Sequence, residues 1–232
     1  MDKPSVGIVF IYALTITLLA FIYRSGPPLV IVALINGLTG FTIGLKKHRF
    51  IAVLFLITVW ALIINAYFVA NTGEPVYVFG SIVVREGMVE AVINISGRLL
   101  AIAGAALILV SLYTPLEIIK GLESELKLPK IISFPLAYGL RLLPIMQRDY
   151  NEIRYARKQR GYRTIPITPN DIASYLQILV SLAIERAIWT GIAIELRGFH
   201  HRKTRYRGLR LKKIDYALIT ILIIQSTLFL IY

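Results

Sequence analysis

The chain has 232 residues, 56% of them hydrophobic and only 17% charged, with a mean hydropathy of +0.69, a composition that excludes an ordinary soluble domain and is explained by apolar runs of membrane-spanning length. The net charge of +13 does not make nucleic acid a partner, because the positive residues stand beside those runs, where lysine and arginine mark the cytoplasmic side. No cysteine is present, which excludes disulfides, thiolate nucleophiles and cysteine metal sites.

Val6 to Tyr23 is an uncharged, mostly apolar run between Lys3 and Arg24. Only Lys3 charges its front, and Arg24-Ser25-Gly26-Pro27-Pro28 is a poor cleavage site, so the run is read as a first span and not as a signal peptide. Leu29 to Leu45 is just long enough for a second span. A compact basic loop, Lys46-Lys47-His48-Arg49, leads into a third, Phe50 to Ala70. Asn71 to Gly87 contains Gly73, Pro75 and Gly80 and is expected to be a loop holding a short extended piece, Val76 to Phe79. The fourth span lies within Met88 to Tyr113, with Glu90, Asn94 and Arg98 in its first part. Thr114-Pro115 closes it, since proline suits the first turn of a new helix.

From Thr114 to Lys213 there are 19 Lys and Arg against 8 Asp and Glu. Placing this region inside puts Lys46 to Arg49 inside too and leaves Arg24 and the loop Asn71 to Gly87 outside, as the positive-inside rule requires. Ile214 to Tyr232 is a last span of 19 residues. Within the basic region, Ile131 to Tyr150 is apolar but carries Arg141 and Arg148, with Pro135 and Pro144 bending it. Tyr175 to Ile194 is apolar enough to pass for a span, but Glu185 and Arg186 stand at its centre. Each charge there costs about 2.5 to 3.5 kcal/mol on an insertion scale, so a long helix beginning near a cap at Asp171 is expected instead, buried against the protein's own spans or lying along the inner surface. The expected fold is all-α. About five transmembrane helices would carry a cytoplasmic helical platform: residues 1–113 with four spans, 114–213 as the platform, and 214–232 as the last helix.

The platform repeats one pattern. Ala156-Arg157-Lys158-Gln159-Arg160-Gly161-Tyr162-Arg163 and Ala193-Ile194-Glu195-Leu196-Arg197-Gly198-Phe199-His200 share A-x-x-x-R-G followed by an aromatic residue. Alanine and arginine one turn apart lie on one face of a helix. Glycine then ends the helix cheaply, because it adopts the left-handed conformation without steric penalty. A small residue lets a surface come close, and arginine offers it a planar fork of donors. The bland alternative for each arginine is a juxtamembrane cation meeting lipid headgroups, worth about 1 kcal/mol. That reading suits Arg157, Arg163 and the unpatterned run Arg202, Lys203, Arg205, Arg207, Arg210, Lys212 and Lys213.

Glu90, Asn94 and Arg98 fall at four-residue steps and form one polar stripe, read either as helix packing or as a contact face for a partner membrane subunit. His200-His201 lacks a third ligand and adjacent helical residues diverge, so no metal site is expected. Glu185 and Glu195 have no catalytic partner, and neither H-E-x-x-H nor a phosphate-binding glycine loop is present, so no enzyme activity is expected.

The paired motif on a cytoplasmic platform resembles the T component of energy-coupling factor (ECF) transporters, a family that includes the CbiQ-like subunit of cobalt importers. The resemblance covers most of Thr114 to His200: Thr114-Pro115-Leu116-Glu117 after a span, Leu140-Arg141-Leu142-Leu143-Pro144, and the two A-x-x-x-R-G copies. It implies that Ala156, Arg160 and Gly161 engage one ABC-type ATPase subunit, and Ala193, Arg197 and Gly198 a second. It further implies a small substrate-binding membrane protein (S component) as partner, a plasma-membrane location, no cofactor bound directly, ATP hydrolysed by the partner subunits, and a vitamin or transition-metal ion as cargo. The alternatives are an ordinary ABC-importer permease subunit, which contacts each ATPase through one short helix, and a membrane enzyme acting on lipid.

Overall fold

The structure, a computed structural model, describes residues 3–23, 25–44, 49–79, 82–163, 165–201 and 211–231. The basic loop at 46–48 and the basic run from Arg202 to Arg210 lie outside the described residues. In chain order the elements are α1 (Val6–Ile22), α2 (Pro27–Gly44), α3 (Arg49–Val69), β1 (Pro75–Phe79), β2 (Ile82–Arg85), α4 (Glu86–Leu112), α5 (Pro115–Glu125), α6 (Lys130–Gln159), α7 (Pro169–Leu196) and α8 (Lys213–Ile231). By length and composition α2, the Phe50–Val69 part of α3, α4 and α7 are each long and apolar enough to cross a membrane, and α1 is a shorter apolar helix; α7 reaches that length with Glu185 and Arg186 at its middle. The protein is thus an all-α, polytopic membrane protein. Its contacts divide it into two compact units, Met1–Leu126 with Arg207–Tyr232, and Lys127–Tyr206.

In the first unit, α2 and α4 meet through small residues. A methyl group on Gly40 would lie 2.2 Å from the carbonyl oxygen of Gly104, and one on Gly104 would lie 2.1 Å from that of Asn36. Only glycine at both positions permits this approach, which replaces the hydrophobic drive that lipid cannot supply. A polar network crosses the same bundle. The Tyr12 hydroxyl donates to Asn36 Oδ1 at 2.6 Å, Asn36 Nδ2 reaches Gln225 Oε1 at 3.3 Å, and the Tyr23 hydroxyl donates to the Gln225 carbonyl at 2.9 Å. Asn36 and Gln225 are fully buried, so these bonds tie α8 to α1 and α2 where no water competes. Asp215 is also fully buried. It accepts from the Ser5 amide at 2.7 Å, the Ser5 hydroxyl at 3.0 Å and the Lys212 amide at 2.8 Å, fastening the start of α8 to the start of α1.

Between α3 and α4 the structure forms a β-hairpin, where the sequence suggests only one extended piece. The second strand, Ile82-Val83-Val84-Arg85, is rich in β-branched residues. Asn71 pins it, donating to Val83 O at 2.8 Å and accepting from the Arg85 amide at 2.9 Å. Pro115 stands in the first turn of α5, as the sequence predicts, and Thr114 caps that helix in a reciprocal box with Glu117.

The second unit is built on α6 and α7. Pro135 and Pro144 both lie inside α6, which continues as one helix through them. The N-cap of α7 is Thr168, not Asp171. The Thr168 hydroxyl accepts from the Asp171 amide, and Asp171, in the first turn, accepts from that hydroxyl at 2.8 Å. Threonine wins the cap because Pro169 suits the position after it, as in Thr114-Pro115.

Candidate functional site

Contacts along α6 and α7 run in opposite directions, so the two helices are antiparallel. Phe134 packs on Phe199 with ring centroids 4.9 Å apart, and the hydroxyls of Tyr138 and Thr190 lie 2.5 Å apart. Midway, Asp149 and Arg186 form a two-pronged ion pair, one prong at 2.7 Å. At the far end Arg157 reaches Asp171 at 2.8 Å and also bonds the Ser174 hydroxyl. Asp149 is 8% exposed. The hydrogen bonds from Arg186 hold its carboxyl below the ordinary value, outweighing burial, which pushes it up.

This pairing puts the two A-x-x-x-R-G copies at opposite ends of one helical hairpin. Their ends have nearly the same backbone. Arg160 caps α6 at φ −85°, ψ 5° and Arg197 caps α7 at φ −84°, ψ 2°. Each accepts its place from the alanine one turn back: the Arg160 amide donates to Ala156 O at 3.3 Å, and the Arg197 amide to Ala193 O at 3.2 Å. Gly161 and Gly198 follow at φ +76° and +62°, the left-handed region that a side chain resists. Ala156, Arg160, Gly161, Ala193 and Arg197 are exposed and Gly198 half-buried. From Tyr138 to Arg160 the chain advances by about 33 Å at roughly 1.5 Å per residue. That is the order of the distance between the ends.

Each end is anchored by the aromatic residue that follows its glycine. Tyr162 lies against Arg157, whose guanidinium sits 5.4 Å from its ring and 4.7 Å from that of Tyr175. Phe199 turns back onto Phe134. Reading Arg157 as a surface or lipid charge is therefore wrong. Its side chain is only 15% exposed, because Asp171, Ser174 and Tyr175 of α7 enclose it together with Tyr162.

The stripe on α4 is divided. Arg98 Nε donates to Ala20 O at 2.9 Å and its guanidinium lies over Phe21 at 5.5 Å, so this residue serves packing between α1 and α4. Glu90 is exposed and Asn94 half-buried. Among the described residues no group of three metal-ligating side chains comes together.

The family model CbiQ, described as "Cobalt transport protein", matches residues 3–206. The chain belongs to the CbiQ family. Over 218 residues, 87% of this chain and 80% of the other, it is 25% identical to the energy-coupling factor transporter transmembrane protein EcfT of Limosilactobacillus fermentum. Over 172 residues, 68% of this chain and 64% of the other, it is 27% identical to the EcfT protein of Bacillus subtilis. This CbiQ-family chain is accordingly a membrane-embedded T component of ECF type, a transport subunit and not an enzyme.

Three groups in this CbiQ-family platform escape the motif: Asp149, Arg186 and Arg157. Their signal in the sequence is weak but present. Arg186 is a charge set within an apolar run, and such a charge is expensive unless it finds a partner; Asp149 stands among polar neighbours, Arg148, Asn151 and Glu152, which hide it as that partner.

Proposed function

We propose that the chain is the coupling subunit of an ECF-type importer, carrying ATP-driven motion from two ABC-type ATPase subunits to a small S component. One observation carries this reading. Two helix ends with the same Arg–Gly stop stand on the order of 30 Å apart on a single antiparallel pair. Such a spacing suits one ATPase subunit per end, Ala156, Arg160 and Gly161 docking on one and Ala193, Arg197 and Gly198 on the other. The chain binds no cofactor itself; ATP is hydrolysed by the partners. Residues 114–213 lie on the cytoplasmic side, with α7 off the membrane core because Glu185 and Arg186 occupy its middle. Glu90 and Asn94, with their stripe on α4, are offered to a partner membrane subunit. The cargo is a vitamin or a transition-metal ion, and the family's description as a cobalt transport protein favours the ion.

The test is a pair of double substitutions compared at equal membrane expression. Removing one partner of a desolvated charge contact costs about 2 to 5 kcal/mol of binding. Arg160→Ala or Arg197→Ala alone should therefore weaken ATPase recovery, and the two together should abolish it. Lysine at either position should restore little, lacking the planar fork. Arg207→Ala with Arg210→Ala removes the same charge from the unpatterned run and should leave ATPase recovery high. Equal loss in the two double variants would reduce the motifs to lipid-facing charge.

A further inference from the structure

The end of α7 borders a cavity of about 500 Å³ within the second unit, and its wall charges do not balance. From α6 it is lined by Phe134, Tyr138 and Arg141, and from α7 by Arg186, Trp189 and Arg197. These positions recur at three- and four-residue steps, so one face of each helix forms each wall. Of the three guanidiniums, that of Arg186 is neutralised by Asp149. The side chains of Arg141 and Arg197 make no hydrogen bond or ion pair among the described residues, and no Asp or Glu lines the cavity. Two uncompensated planar forks facing one cavity form a receptor for an oxyanion.

The remaining lining fixes what the oxyanion is attached to. Beside the cations stand the Tyr138 and Thr190 hydroxyls and the rings of Trp189 and Phe134. Trp189 is 64% exposed, and Ile188 and Ile192 extend the apolar surface along α7. A bare inorganic anion would satisfy the arginines and leave this apolar rim in water. An amphiphile with a phosphate head and a hydrocarbon stem satisfies both. We propose that the cleft between α6 and α7 binds the phosphate of an anionic phospholipid between Arg141 and Arg197, with the first methylenes of the lipid against Trp189. Arg141 belongs to neither A-x-x-x-R-G copy, so this site goes beyond the coupling reading. It shares with that reading only Arg197, whose fork the bound phosphate would orient.

The experiment uses the complete transporter complex, purified in mild detergent and exchanged into mixed phosphatidylglycerol and phosphatidylcholine. Phosphatidylglycerol retained after extensive washing is counted by native mass spectrometry. Arg141→Gln should lower retention about fivefold, the effect expected from one arginine near an anionic headgroup, and Arg141→Lys should restore part of it. Arg148→Gln, which removes an exposed charge of α6 outside the cleft, should retain as much lipid as the natural protein. Equal retention in Arg141→Gln and Arg148→Gln overturns the site. If millimolar inorganic phosphate displaces the lipid, the occupant is a soluble phosphate and the lipid assignment falls. ATPase recovery is read in parallel. Loss of ATPase from Arg141→Gln with lipid retention unchanged would make the cleft an ATPase contact and sink the proposal. Failure of the coupling reading itself would show instead in the Arg160 and Arg197 variants.

Discussion

The two ends of the α6–α7 hairpin carry the same stop and rest on different supports. At the end of α6, the Gly161 amide donates to Lys158 O and the Tyr162 amide to Arg157 O, closing the helix with two bonds before the chain leaves. Arg157 then ties that end to α7 through Asp171 and Ser174. At the end of α7, the Gly198 amide donates to Glu195 O and the chain enters a short 3-10 turn, Phe199–His201, held by the tilted packing of Phe199 on Phe134. One end is fastened by charge as well as by aromatic rings, the other by aromatic packing. What the ends have in common is the exposed arginine and the left-handed glycine, so the repeated signature specifies the presented surface and leaves its support free to differ.

The largest expected effect removes what both ends share. Asp149→Ala leaves Arg186 without its carboxylate in a partly buried site, and uncompensated charge of that kind is among the most damaging of single changes. Recovery of both ATPase subunits should fall by about tenfold or more. Arg186→Ala should do the same, and the double variant should be little worse than either single one. Losses that simply add would show that the pair does not act as a unit.

Acid should open the same clamp. Because the folded value of Asp149 is lowered, its contribution is complete above the unfolded value, near about pH 4, and is lost as pH falls through the folded one. Fluorescence of Trp189, isolated by Trp60→Phe, should be flat from about pH 8 to 5 and change only below about pH 4. A transition centred near neutral pH would assign it to some other group.

A smaller effect should separate the ends. Arg157→Ala ought to loosen only the first, moving the ratio of ATPase to chain from two towards one while the second end still docks. Phe199→Ala is its mirror, costing about 0.5 to 1.5 kcal/mol for the ring pair beyond the buried area. If either variant lowers both ends equally, the supports are not independent. Smallest of all is Gly161→Ala, where a side chain must adopt φ +76° at a cost of about 1 to 2 kcal/mol. Gly198→Ala, at φ +62°, should match it, since this element is common to both ends. Circular dichroism and ATPase recovery on each single variant would check that equality.

The all-α class, the apolar helices, the two Arg–Gly stops and the family resemblance were legible in the chain. These are set by local rules: apolar length, the freedom of glycine, and residues one turn apart on a face. Tertiary structure alone decided that Arg157 is an internal strut, that Asp149 and Arg186 clamp the hairpin, that Arg141 and Arg197 share a cleft, and that Gly40 lets α2 meet Gly104 of α4. In each case the outcome depends on which residue of a distant helix comes opposite, and spacing along a single helix contains no register with its neighbour. A charge in an apolar helix states only that a partner is needed; the antiparallel alignment of α6 and α7 supplies it.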